Sequence, residues 1–390
     1  MIDRFMAARM ADLGTETAFE VLAKASALEA QGRDIVHMEI GQPDFKTPAH
    51  IRKAGADAIE AGLTGYVNSA GIPALRESIA RYISETRGIP VAADEVVVTP
   101  GGKPIMYYTI IVAVNPGDEV IYPNPGFPIY ESVIRFMGGV PVPLPLREEK
   151  DFRLDVDELR SLVTDKTRLI IINSPANPTG GVLTHGDVKA IAEIAGGREI
   201  LVLSDEIYSR IIYEGEPHSI ASEPGMKEKT VILDGFSKTY SMTGWRLGYG
   251  VMPRHLAQAV ERLVINSVSC TPGFVQMAGK TALEGPQDSV DAMNAEFRKR
   301  RDFIVAGLNS IPGVACRKPA GAFYVFPNLK SFGKSSKEIG DYLLREGGVA
   351  CLPGTSFGSY GEGYVRLSYA TSLERIDEGL KRIRGALAKL

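Results

Sequence analysis

The chain has 390 residues, of which 44% are hydrophobic and 23% charged, and its net charge is −3. That length and balance describe a globular protein with a large core, long enough for two domains. So small a negative charge excludes nucleic acid and anionic membrane as partners held by electrostatic attraction.

The opening residues, Met1 to Met6, mix acid and base and lack the apolar stretch of a signal peptide. The next stretch predicts a helix over 19–31, stopped at Gly32, with Val21, Leu22, Ala25 and Leu28 on one side. A short strand over 35–39 runs into the turn-rich Gly41-Gln42-Pro43-Asp44-Phe45. Helices follow over 49–61 and from Pro73, whose fixed φ suits a first helical turn, with Leu75, Ile79, Tyr82 and Ile83 as the apolar stripe. From Glu95 the pattern alternates between short apolar runs and helices: 96–98, 120–122, 140–142, 169–172, 201–203, 231–233 and 247–251 read as strands. Helices are predicted over 105–114 and 129–136. The longest apolar run, Tyr107 to Val114, falls far short of a membrane span. Further helices are expected over 256–264, 273–283 and 290–308, then strands over 323–326, 349–352 and 365–368 and a closing helix from Leu373.

Buried strands joined by crossover helices imply an α/β fold with a mostly parallel, seven-stranded sheet covered on both faces. We place this large domain at residues 46–284, and a smaller α+β domain at residues 1–45 and 285–390. Cys270, Cys316 and Cys351 are too few and too scattered for a disulfide framework, and read as small hydrophobes in a reducing, cytoplasmic compartment.

In open α/β sheets ligands gather at the carboxyl ends of the strands, and four polar signals fall there. Gly101-Gly102-Lys103 opens a helix whose first N–H groups suit a phosphate. Asn173 to Gly180 contains Asn177 in a proline-rich turn. Ser204-Asp205-Glu206-Ile207-Tyr208 places two acids at a strand end, but the five histidines lie apart in sequence and none supplies a metal-ligand spacing. The fourth signal, Asp234 to Tyr249, carries Lys238 at a strand end and Arg246 eight residues later. Burial lowers a lysine pKa from its ordinary ~10.4, and a neutral amine is a nucleophile toward an aldehyde cofactor. No Gly-x-x-x-x-Gly-Lys-Ser/Thr and no Gly-x-Gly-x-x-Gly occurs, which removes a P-loop and a dinucleotide fold.

Gly235-Phe236-Ser237-Lys238 with Ser241-Met242-Thr243-Gly244-Trp245-Arg246-Leu247-Gly248 resembles the pyridoxal-phosphate lysine segment of class I aminotransferases of fold type I. From Gly41–Phe45 to Val365-Arg366-Leu367-Ser368-Tyr369-Ala370 the resemblance covers essentially the whole chain, and bacterial aspartate aminotransferases are the most similar subgroup. It implies pyridoxal 5′-phosphate held on Lys238 as a Schiff base, with Lys238 also moving a proton at the substrate Cα. Asp205 is expected at the pyridine nitrogen, Tyr208 and Asn177 at the ring oxygen, and Phe127 on the ring face. Gly102, Lys103, Ser237 and Arg246 are expected at the phosphate, with Tyr66 reaching in from the partner subunit of a homodimer. Arg366 is expected to bind the substrate α-carboxylate bidentately, beside the backbone of Gly41 and Asn177.

The implied reaction moves an amino group between an L-amino acid and a 2-oxo acid, with no metal. Lys103 at the side-chain end favours aspartate and glutamate, whereas Phe19 and Tyr66 leave alanine, aromatic and other neutral substrates as the alternative. A β-lyase on the same scaffold is the other alternative; such relatives tend to carry histidine where this chain has Tyr208. Gly235 stands where many relatives have serine, and Trp245 is expected to pack rather than react.

Overall fold

The computed structural model describes residues 5–390; residues 1–4, read above as part of an N-terminus without a signal peptide, lie outside them. Seven strands form the central sheet: β1 (Val96–Thr99), β2 (Glu119–Asn124), β3 (Val140–Pro145), β4 (Thr167–Asn173), β5 (Leu201–Asp205), β6 (Thr230–Gly235) and β7 (Gly248–Val251). Their order is β1-β7-β6-β5-β4-β2-β3, parallel throughout except for β7, which runs antiparallel to both its neighbours.

The continuous apolar runs follow from burial on both faces. Alternate side chains along one strand enter different cores: Val96 and Val98 pack with Ile51, Leu75 and Ile79, while Val97 packs with Ile105, Val120 and Leu203. Likewise Ile170 and Ile172 face Val188 and Ile191, and Leu169 and Ile171 face the opposite layer. Helices Ala49–Glu60, Pro73–Arg87 and Gly273–Glu284 cover one face, with Lys103–Ala113, Ile129–Phe136 and Arg254–Ser267 on the other.

Strand β3 is an edge strand, and its composition explains why it stays one. Val140 N–H and Leu146 N–H donate toward β2, at Asp118 O and Asn124 O, so the alternate positions face outward. Those positions are Pro141, Pro143 and Pro145, which have no N–H to offer.

A smaller α+β layer joins the two ends of the chain. Val36–His37 pairs in parallel with Val349–Ala350, and Val365–Ser368 lies between Leu352–Pro353 and Tyr324–Val325. The single strand expected over 349–352 is therefore two short ones, divided at the buried Cys351 and serving different sheets. Helices Asp288–Asn309 and Leu373–Leu387 close this layer around Phe297, Phe323 and Tyr369. Helix Val156–Leu162 begins on Asp155, whose carboxylate accepts from the N–H groups of Asp157 and Glu158.

Among the described residues no helix is long and apolar enough to cross a membrane. Cys316 and Cys351 are buried, and burial pushes both thiols up to about 12, so they serve as core residues; Cys270 is only partly covered.

At β7 the sheet meets the Gly101-Gly102 turn backbone to backbone. A Cβ on Gly248 would stand 2.5 Å from both Gly101 C and Gly102 N, main-chain atoms that cannot rotate away. Gly248→Ala is expected to lower unfolding stability by about 1–3 kcal/mol, as overpacking does, read as a lower urea midpoint with an unchanged slope.

Candidate active site

Parallel alignment brings the carboxyl ends of β4, β5 and β6 side by side, with Asn173 opposite Asp205 and Asp205 opposite Leu233. Beyond β6 the chain makes a tight turn, Tyr240 N–H to Phe236 O and Met242 N–H to Ser237 O, nailed down by the buried Phe236, Tyr240 and Met242. Lys238 projects from that turn. Its Nζ donates to Gly41 O and lies 5.9 Å from the Tyr208 ring centroid and 5.7 Å from that of Phe323. Burial brings the amine down to about 8; Arg366, Arg246 and Lys103 push the same way and Glu16 opposes them.

Asp205 and Glu206 are adjacent and diverge. Glu206 turns away from the cleft to Arg87 Nε at 2.7 Å, and takes the hydroxyls of Ser204 and Ser219. Asp205 is left in the cleft, where Tyr130 OH donates to Oδ2 at 2.5 Å and Ile207 N–H to Oδ1 at 3.3 Å. Desolvation raises its carboxyl to about 6 against the pull of those donors and of Lys238. An acid and an amine are thus drawn toward each other on the pH scale, a combination concentrated at functional sites.

The Gly101-Gly102 turn and the start of helix Lys103–Ala113 lie under the Arg246 guanidinium: a Cβ on Gly101, at φ +86°, would be 2.2 Å from Arg246 Nη2. Arg246 Nη1 donates to Thr243 O at 3.0 Å, and Ser237 is buried beside the same strand end. Backbone N–H groups at a helix start, with a guanidinium above them, form a place for a phosphate.

On the other side of Lys238, Arg366 comes from strand Val365–Ser368 and is 4% exposed. Its Nη1 donates to Asn177 Oδ1 at 3.2 Å and Nη2 to Glu39 O, while the guanidinium packs over Tyr324 and Phe357, 4.4 and 4.9 Å from their centroids. Nε is buried and has no partner. A buried, incompletely satisfied guanidinium between two aromatic rings has the chemistry to receive a carboxylate.

A family profile described as aminotransferase class I and II matches residues 33–383. The chain belongs to that family. An aspartate aminotransferase of Pyrococcus abyssi is 40% identical, over 94% of this chain and 95% of its own. Aromatic-amino-acid aminotransferase 2 of Thermococcus litoralis is also 40% identical, over 92% and 93%. Among solved structures, aspartate aminotransferase from Thermus thermophilus with maleate has a TM-score of 0.95 at 35% identity, covering 98% of this chain and 100% of that one.

In this aminotransferase Lys238 meets Gly41 and faces Tyr208, Arg366 meets Asn177, and the charge of Lys238 acts on Asp205. Gly102, Lys103 and Arg246 gather at the helix start, with Ser237 buried just past the end of β6. Gly41 meets Lys238 through its carbonyl, and it is the Glu39 carbonyl that meets Arg366. Phe127 is half-buried, edge-on to Tyr130 with centroids 5.7 Å apart. Tyr66 stands apart, 92% exposed. Trp245 packs against Gly55 and donates to Thr47 Oγ1 at 3.1 Å. Four participants were not read from the sequence: Tyr130, Glu39, Tyr324, whose hydroxyl is 2.8 Å from that of Tyr208, and Glu16, which pairs with Lys103. The fold also brings His185 and His218, distant in sequence, to 5.3 Å between rings. Even so, no group of three potential metal ligands occurs among the described residues.

Raising Asp205 from its ordinary 3.8 to about 6 corresponds to about 3 kcal/mol of destabilisation once it is ionised in the fold. The penalty is absent where the carboxyl is neutral in both states, grows from about pH 4 to pH 6, and is complete above that. Asp205→Asn is therefore expected to melt higher than the parent at pH 8, both freed of small molecules, with the gap closing near pH 4 in thermal unfolding scans.

Proposed function

We propose that this aminotransferase binds pyridoxal 5′-phosphate and exchanges an amino group between an L-amino acid and a 2-oxo acid in two half-reactions. The observation that carries the reading is the pairing of an amine brought down to about 8, Lys238, with a buried acid, Asp205, across one cleft from the Arg366 guanidinium, whose Nε has no partner. The residues fit the cofactor: the Gly101-Gly102 turn and Arg246 leave a cradle a Cβ would fill, and Asp205 is a buried carboxylate without a cationic hydrogen-bond partner. When bound, pyridoxal phosphate supplies an aldehyde and a ring that accepts electrons from the substrate Cα.

The chain's own groups do the remaining work. Lys238 anchors the cofactor through its amine and later moves the proton at the substrate Cα. Asp205 holds a proton at the ring nitrogen, and Tyr130 fixes the carboxylate that does so. Tyr208 and Asn177 present a hydroxyl and an amide at the ring oxygen, and Phe127 presents a ring to its face. Gly102 and Lys103, through their backbone N–H groups at the helix start, hold the phosphate together with Ser237 and Arg246. Arg366 grips the α-carboxylate, which orients the Cα–H bond. Asn177 and Glu39 O already fix two of its nitrogens.

We infer a homodimer in which Tyr66 completes the partner's phosphate site; its 92% exposure on the single protomer supports this. We infer aspartate, glutamate and 2-oxoglutarate as substrates through Lys103, half-exposed at the side-chain end. The Glu16 carboxylate on Lys103 favours a second reading, in which neutral amino acids also serve as donors.

Two measurements test these assignments. Borohydride treatment of the cofactor-loaded protein is expected to label the peptide that contains Lys238, read by mass spectrometry; a label elsewhere overturns the anchor. Lys103→Ala is expected to raise KM for aspartate and 2-oxoglutarate about tenfold more than KM for phenylalanine, the scale of one lost charge pair in a partly dry site.

A further inference from the structure

Glu16 precedes helix Thr17–Glu29 at the position that ordinarily caps it, yet its side chain makes no capping hydrogen bond. The carboxylate is turned instead into the cleft, where Oε1 accepts from Lys103 Nζ, and the side chain is only 18% exposed. The same ammonium lies 5.5 Å from the Phe127 ring centroid. The charge of Glu16 also acts on Lys238, Arg366 and Tyr324. The segment that carries it is tied down two residues earlier, by Gly14 N–H to Ser132 Oγ at 2.8 Å.

We propose that Glu16 sets side-chain selectivity, its carboxylate holding Lys103 as a tethered stand-in for the distal carboxylate of an acidic substrate. Aspartate, glutamate or a dicarboxylic 2-oxo acid must displace it to reach Lys103. A neutral side chain, aliphatic or aromatic, enters with the pair intact. This rests on the reading of Lys103 given above and adds the element that moderates it.

The magnitudes allow the exchange. A pair between a half-exposed lysine and a glutamate contributes about 0–1 kcal/mol, so it yields to a better-placed carboxylate. A group tethered by a few residues nonetheless competes at an effective concentration on the order of millimolar, enough to weaken a dicarboxylate that would otherwise have the ammonium to itself. One cavity can then take a dicarboxylate in one half-reaction and a neutral amino acid in the other, without moving the α-carboxylate receptor.

The test compares two ligands on cofactor-loaded enzyme by calorimetry: maleate, with two carboxylates, and 3-phenylpropionate, with one. Glu16→Gln keeps the side chain's size and removes its charge. It is expected to tighten maleate about fivefold relative to 3-phenylpropionate, with a matching fall in the ratio of KM for 2-oxoglutarate to KM for phenylalanine. In the Lys103→Ala background the Glu16→Gln effect is expected to vanish. A ratio changed less than twofold, or moved the other way, overturns the proposal. So does a gain that persists without Lys103, which would make Glu16 a simple source of repulsion. If Lys103→Ala itself fails to discriminate the two ligands, the reading of Lys103 falls, and the proposal with it. If Lys103→Ala discriminates and Glu16→Gln does not, only the proposal falls.

Discussion

Desolvation of ionisable groups at the carboxyl ends of parallel strands is the constraint on which the rest of the molecule depends. Water-exposed, Lys238 would be an ordinary ammonium and Asp205 an ordinary carboxylate. Set at adjoining strand ends, they are shifted to about 8 and about 6. Holding such groups out of water is unfavourable, and what offsets it is the apolar bulk of the sheet, sealed on two faces by helices. The precision of the site comes from the same source, because β4, β5 and β6 deliver their ends in register.

The site also requires both ends of the chain. Glu39 and Gly41 come from one end and Arg366 and Tyr324 from the other, joined by the pairing of Val36–His37 with Val349–Ala350. Tyr324 reports how closely they fit: a Cβ on Gly41 would lie 2.0 Å from its hydroxyl oxygen. The floor of the cavity is therefore sheet, whereas its walls are contributed by chain segments hundreds of residues apart.

Most of the architecture was legible because burial writes itself into the sequence as continuous apolar runs, each of the seven becoming a strand of the central sheet. Lys238, Asp205 and Arg366 were legible because each sits in a dense local motif. Tyr130 was not: within Ile129–Phe136 it has the look of a core residue, and only the fold sets its hydroxyl on an acid 75 positions away. Glu16 was hidden likewise, since Gly14-Thr15-Glu16-Thr17 reads locally as a helix start and its partner is 87 positions on. Only the resemblance ranked Asp205 above Glu206, since two adjacent acids at a strand end look alike locally; strand alternation sends one to the cleft and the other to Arg87. Residues 349–352 read as one strand because periodicity reports extension and not the identity of the neighbour.

The three outward prolines of β3 carry a consequence for assembly. A sheet border whose outward positions accept but cannot donate is a poor template for a strand from another molecule, so lengthening of the sheet through that border is disfavoured. A contact made across that border rests on side chains instead, where a mutation alters affinity residue by residue and the hydrogen-bonded framework of the sheet stays self-contained.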